Sequence, residues 1–231
     1  ANARLLPEYA RENHEEYQSI RFYSYPIELP QVPQLTPAQA QALNARVAES
    51  ERNPPKRHEG FLGALYDAET RRDTESHLEK VEFLGFSFRV HTRIVEPLSR
   101  VQNEIQELIK TDTETAEFVS TLYSIETYSW RSIAGMRSRS YHSYGIAIDF
   151  VPRTYAGRFP YWRWAYTAGI REWWAIDYEN RWMIPAPIVS AYEKYGFVWG
   201  GKWLFFDTMH FEYRPEILLL TKLRAANSIP R

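Results

Sequence analysis

Three stretches of this 231-residue chain predict an α+β fold. From His91 to Ile109, the residues Ile94, Leu98, Val101, Ile105 and Leu108 fall on one helical stripe. Just before it, Phe83, Leu84, Phe86, Phe88 and Val90 form an apolar run that ends in strand-like alternation. Near the C-terminus, Phe197–Trp199 and Trp203–Phe206 flank Gly200-Gly201 and read as the two strands of a hairpin. Helix and strand content are therefore mixed, but periodicity alone does not give the strand order.

Taken in order, residues 1–58 are polar and marked by Pro26, Pro30, Pro33 and Pro37. Thr36 can cap a helix whose first position is Pro37 and which continues to Ala48. Asn53-Pro54-Pro55-Lys56-Arg57 reads as a linker. The arm is too poor in large apolar residues to stand alone; it is expected to pack as an extension along the main unit, residues 59–231, the alternative being a part in recognising the substrate surface. A further helix from Glu114 precedes a short strand, Leu122–Tyr128. Ile146-Ala147-Ile148 forms another strand that closes on Asp149, with Gly145 supplying a turn ahead of it. Residues 155–182 hold five of the eight tryptophans, Trp162, Trp164, Trp173, Trp174 and Trp182. Rings of this size bury large areas. The segment is therefore expected to be a compact insertion, with one or two rings lining a cleft. Ala186-Pro187 opens a helix that Gly196 ends.

Composition narrows the possibilities. With 28 basic against 29 acidic residues, the chain has no basic footprint for nucleic acid. No apolar run reaches the length of a membrane span. Cysteine is absent, which removes disulfides and thiolate chemistry. The opening Ala-Asn-Ala-Arg has no basic-then-apolar export signal, so the chain is either cytosolic or a mature form.

The chemistry sits in two short segments. Ser140-Tyr141-His142-Ser143-Tyr144-Gly145 leads to Asp149, and some sixty residues on comes Asp207-Thr208-Met209-His210. Two imidazoles and a carboxylate for one metal ion, with a second carboxylate three residues before the last imidazole, fit a catalytic zinc site with an open position. His142 and Asp149 are seven apart, and odd steps along a strand switch faces. They can converge only if His142 lies on the turn before the strand. His91 is a possible further imidazole, although its place at a strand–helix junction suits a structural role better.

Ser-x-His-x6-Asp followed by a late Asp-x-x-His resembles the M15 peptidases, the zinc D-Ala-D-Ala carboxypeptidases and L-Ala-D-Glu endopeptidases of peptidoglycan stem peptides. Trp130-Arg131-Ser132-Ile133-Ala134-Gly135 and Trp199-Gly200-Gly201-Lys202-Trp203 are similar to that family as well, and the similarity runs from about residue 80 to 216. The resemblance implies a small antiparallel sheet carrying the zinc site with helices packed on it, as in DD-peptidases and the Hedgehog signalling domain. It also implies that His142, Asp149 and His210 are zinc ligands and Asp207 is the catalytic base. Carboxypeptidases of the family usually have Glu at the base position. Asp207 looks more like the endopeptidase branch, which leaves the bond open.

Three arginines, Arg131, Arg137 and Arg139, crowd the approach to His142. Guanidinium groups hold carboxylates through paired hydrogen bonds. By resemblance Arg131 is the best match for a substrate carboxylate site and Arg137 the next; two of the three arginines are expected to be ordinary surface residues. Ser140 suits either a substrate hydrogen bond or a structural turn. The implied substrate is peptidoglycan or a muropeptide, which places the protein in the periplasm or outside the cell. Two other classes stay open: a non-catalytic zinc protein of the same fold, and a metal-free carbohydrate-binding module built on the tryptophan-rich insertion.

Overall fold

The computed structural model describes residues 23, 25–53, 59–133 and 138–226. Arg137, Ala134-Gly135 and the Pro54-Pro55-Lys56-Arg57 part of the expected linker lie outside the described residues. The elements mix helices with two small antiparallel sheets. Helices α1 (Pro37–Arg52), α2 (Glu59–Tyr66) and α3 (Arg71–Ser76) precede a hairpin of β1 (Leu78–Phe83) and β2 (Phe86–His91). Helices α4 (Thr92–Thr111) and α5 (Thr113–Thr121) follow, then β3 (Leu122–Glu126) and β4 (Ala147–Pro152). The last part holds α6 (Trp162–Thr167), α7 (Ala186–Lys194), β5 (Phe197–Trp199), β6 (His210–Tyr213) and α8 (Pro215–Ala225).

Strands β3 to β6 form one sheet in the order β3-β4-β6-β5, with every neighbouring pair antiparallel. Alternation along β4 sends Ile148 and Phe150 to one face and Asp149 to the other. The apolar face is the core. Tyr192 of α7 stacks on Phe211 at 4.0 Å and meets Phe150 edge-on. Ile94, Leu98, Val101 and Ile105 of α4 are all buried, so the predicted stripe is the packed face of that helix. Leu108, expected on the same stripe, is only half-buried. The polar face of β4 and β6 is left to the site.

Helix α1 starts where the sequence places it. Thr36 Oγ1 accepts from Gln39 N–H and Gln39 Oε1 accepts from Thr36 N–H, closing a capping box. Its apolar side, Ala40, Leu43 and Val47, joins a second core around Trp173, Trp174 and Phe206. Arg163 pairs with Glu51 at 3.1 Å across the same contact. Ahead of the helix, Tyr25 OH accepts from Trp199 N–H and bonds to Glu193, and Lys202 Nζ donates to the Ile27 carbonyl at 2.6 Å.

The predicted strand Trp203–Phe206 is not one. Gly200–Lys202 is a single 3-10 turn, the next residues bend, and the strand begins only at His210. The apolar side chains there serve the second core instead: Phe205 stacks on Trp173 at 5.0 Å, and Arg181 lies over Phe206 at 4.1 Å. The apolar run 83–90, for its part, is split by the Leu84-Gly85 turn between β1 and β2.

Candidate metal centre and active site

His142 lies on a 3-10 turn, Tyr141–Tyr144, ahead of β4. Gly145 ends the turn at φ 67°, and a Cβ there would approach His91 N to 2.9 Å and Leu78 Cδ2 to 2.7 Å. Gly145→Ala should therefore destabilise the metal-free protein by roughly 1–3 kcal/mol through left-handed strain and this close approach. Denaturant unfolding checks the figure, and an unchanged midpoint would mean that the turn tolerates a side chain.

The sheet register does the rest. Asp149 of β4 pairs directly with His210 of β6, so their side chains share a face as cross-strand neighbours. His210 Nδ1 is 2.6 Å from Asp149 Oδ1, and His142 Nε2 is 3.1 Å from Asp149 Oδ2. The three donor atoms lie within 4.8 Å of one another, and all three residues are buried. His142 Nδ1 donates to the Thr127 carbonyl at 2.6 Å, which turns Nε2 inward. That Nε2 is buried without a hydrogen-bond partner. An orphaned imidazole nitrogen beside a carboxylate and a second imidazole is a donor set that fits a divalent metal ion.

Electrostatics agree. Burial works against ionisation of Asp149, but the His142 and His210 imidazoles outweigh it and hold the carboxyl well below its ordinary range. Burial alone would lower His210, yet Asp149, Glu212 and Asp207 together keep it well above its ordinary value. The centre is a carboxylate bridging two imidazoles, ready to exchange protons for a cation.

Asp207 reaches the same cleft from the bent segment before β6. Gly200 makes this possible: its carbonyl accepts from Asp207 N–H at 3.0 Å, and a Cβ on it would come within 2.4 Å of the Asp207 carbonyl. The aromatic insertion grips the loop from the other side. Tyr161 bridges to Asp207, and Thr208 N–H donates to the Pro160 carbonyl at 2.7 Å; from β5, Trp199 Nε1 donates to the Thr208 carbonyl at 2.7 Å. Asp207 Oδ1 is buried without a hydrogen-bond partner. Burial, followed by the compensating pull of His210 and the repulsion of Asp149 and Glu212, leaves its carboxyl pushed up to about 7.

The cleft, about 350 Å³, is lined by Trp162, Trp164, Trp203 and Arg131. A second hollow of similar size, walled by Arg89, Glu126 and Tyr128, meets it at Arg131 and His142. Arg131 is exposed and straddles both hollows. Its backbone is fixed, since its N–H donates to Ser143 Oγ at 2.9 Å and its carbonyl accepts from Ser140 N–H. Ser140 Oγ caps the turn by accepting from His142 N–H at 3.3 Å, while the residue also lines the cleft.

Arg139 is held against the protein rather than free at the surface. Its guanidinium lies over the Trp130 and Tyr144 rings and donates to the Ala68 carbonyl. His91 is structural: it caps α4 by accepting from Arg93 N–H, and its Nε2 contacts the Tyr66 carbonyl at 2.8 Å. Sequence reasoning missed Glu212, a buried carboxylate 3.2 Å from His210 Nε2. The only signal was its i, i+2 spacing from His210, which becomes informative once β6 is known to be a strand.

Residues 134–213 match the family model for D-alanyl-D-alanine carboxypeptidase of the M15 peptidases. Over this segment the chain is similar to the M15 peptidases. The match spans the His142 turn, β4, the aromatic insertion and β6, so both halves of the candidate centre fall inside it. No curated protein and no solved structure matched the chain. Among the described residues, no helix is long and apolar enough to cross a membrane.

Proposed function

We propose that the chain is a zinc-dependent peptidase acting on peptidoglycan stem peptides, at an L-Ala-D-Glu or a D-Ala-D-Ala type bond. The observation that carries this is the convergence of His142, Asp149 and His210 beside the buried Asp207 in one cleft of the M15 segment. His142 Nε2, Asp149 and His210 Nδ1 would hold the ion. A zinc ion there supplies Lewis-acid polarisation of the scissile carbonyl and a more acidic water.

The protein's own groups do the rest. Asp207 accepts a proton from the attacking water and returns it to the departing amine. Its raised position suits both tasks, because a base near 7 is also a competent acid. Asp207 must be ionised to begin the cycle, so kcat/KM should rise with pH through its pKa. A cation alongside lowers that pKa, which places the acid limb at or below about 7. A pH–rate profile checks this, and a rate that climbs as the pH falls would contradict it.

Arg131, which lines both hollows, would take a substrate carboxylate. Arg131→Ala should cut kcat/KM by roughly 10- to 100-fold, mostly through KM, as expected for loss of a charge-assisted bond. Arg137 and Ser140 remain the other proposed substrate contacts. The M15 relationship favours a site of action at the cell wall, in the periplasm or outside the cell. Hydrolysis of synthetic stem peptides, with and without a zinc chelator, tests the proposal. Cleavage that ignores the chelator, or no cleavage by the zinc-loaded protein, would defeat it.

A further inference from the structure

We propose that Glu212 is the positioning residue of the centre: its carboxylate accepts the Nε2–H of His210 and thereby presents Nδ1 to the metal. This role rests on the metal site proposed above and assigns a task to a residue outside its donor set. Residues two apart on a strand share a face, so β6 delivers His210 and Glu212 together. Opposite Glu212 on β4 stands Ala147, whose small side chain leaves the carboxylate room.

The two nitrogens of an imidazole point away from each other. With Nδ1 at 2.6 Å from Asp149 and Nε2 at 3.2 Å from Glu212, the ring is held at both ends. Glu212 is not part of the converging donor cluster, and its contact with the ring is at Nε2, the nitrogen turned away from Asp149. His142 shows the mirrored arrangement, with Nδ1 on the Thr127 carbonyl and Nε2 turned inward. One histidine is thus set by a neutral carbonyl and the other by an anion, and an anionic acceptor raises the basicity of the ligating nitrogen.

Glu212 is itself held. Arg214 Nη1 lies 3.8 Å from its Oε2 and donates to Tyr141 OH at 2.8 Å, and Arg214 Nε pairs with Glu216. Tyr141 opens the turn that carries His142. A continuous chain of contacts, from His210 through Glu212 and Arg214 to Tyr141, therefore ties the two halves of the centre to one another. A buried carboxylate is costly unless paired, and His210 and Arg214 both lie against this one.

The test compares zinc affinities of wild type, Glu212→Gln and Glu212→Leu by competition with a chromogenic chelator. Imidazole ¹⁵N spectra of the zinc-loaded proteins are recorded alongside. Gln keeps the shape and an acceptor oxygen but loses the charge, and its affinity should fall about 10-fold. Leu loses both, and the fall should approach 100-fold. His210 should carry its proton on Nε2 in wild type and in the Gln variant. If the Leu variant does not fold, the Gln variant decides alone. Wild-type affinity in Glu212→Gln, or a His210 that binds zinc through Nε2, overturns the assignment while leaving the peptidase proposal intact. A wild-type chain that takes up no zinc overturns both.

Discussion

Asp207→Asn should lower kcat by about 10²- to 10⁴-fold, the usual contribution of a positioned general acid–base group, while zinc stays bound. The amide keeps the shape of the carboxylate but cannot accept the proton. Asp207 is not among the converging donors, so the affinity of the centre should change little. Its backbone contacts, to Gly200 behind and to the Tyr161 bridge, do not involve the carboxylate, so the loop should keep its path. The side-chain oxygen that loses its charge is a buried one without a partner, which should make the Asn variant slightly easier to bury. An inactive variant of at least wild-type stability with full zinc content is the expected combination. Full activity in Asp207→Asn would remove the residue from the mechanism.

His142→Ala should abolish zinc binding, and activity with it. Two ligands would remain, fewer than the three protein ligands a catalytic zinc site uses. Metal uptake by the wild type should also depend steeply on pH. His210 binds its proton well above the ordinary histidine range, and that proton must leave before Nδ1 can coordinate. Raising the pH towards the elevated pKa therefore strengthens metal binding, and lowering it favours the protonated, metal-free centre. Zinc titrations at several pH values check the sign. An affinity that is flat with pH would contradict the proton exchange, and His142→Ala with retained zinc would displace His142 from the ligand set.

Much of the local geometry of the candidate site was legible in the sequence because its signals are local. Gly145 after a polar turn and before Ile146-Ala147-Ile148 told that His142 leaves the strand line, and the 3-10 turn is the form this takes. The α4 stripe and the Thr36 cap are equally local, resting on side chains three or four residues apart. What could not be read was pairing at a distance. That Asp149 faces His210 depends on β4 and β6 being neighbours across some sixty residues, which no periodicity records. Glu212 was hidden for the same reason.

The segment 203–206 misled in a different way. Trp203, Leu204, Phe205 and Phe206 have strand-like composition, yet their rings are wanted by Trp173 and Arg181 rather than by a ladder. Tertiary packing outweighed propensity there. The same packing explains the tryptophan-rich insertion. Trp173 and Trp174 are buried under α1, and Pro160, Tyr161 and Trp182 clasp the Asp207 loop, while Trp162 and Trp164 face the cleft.

The most direct measurement is mass analysis of purified peptidoglycan after incubation with the zinc-loaded protein, with Asp207→Asn alongside. New stem-peptide fragments that are absent with the variant are the expected result, and their masses name the bond. Intact polymer despite a bound zinc ion would contradict a cell-wall peptidase and leave a metal site without this substrate.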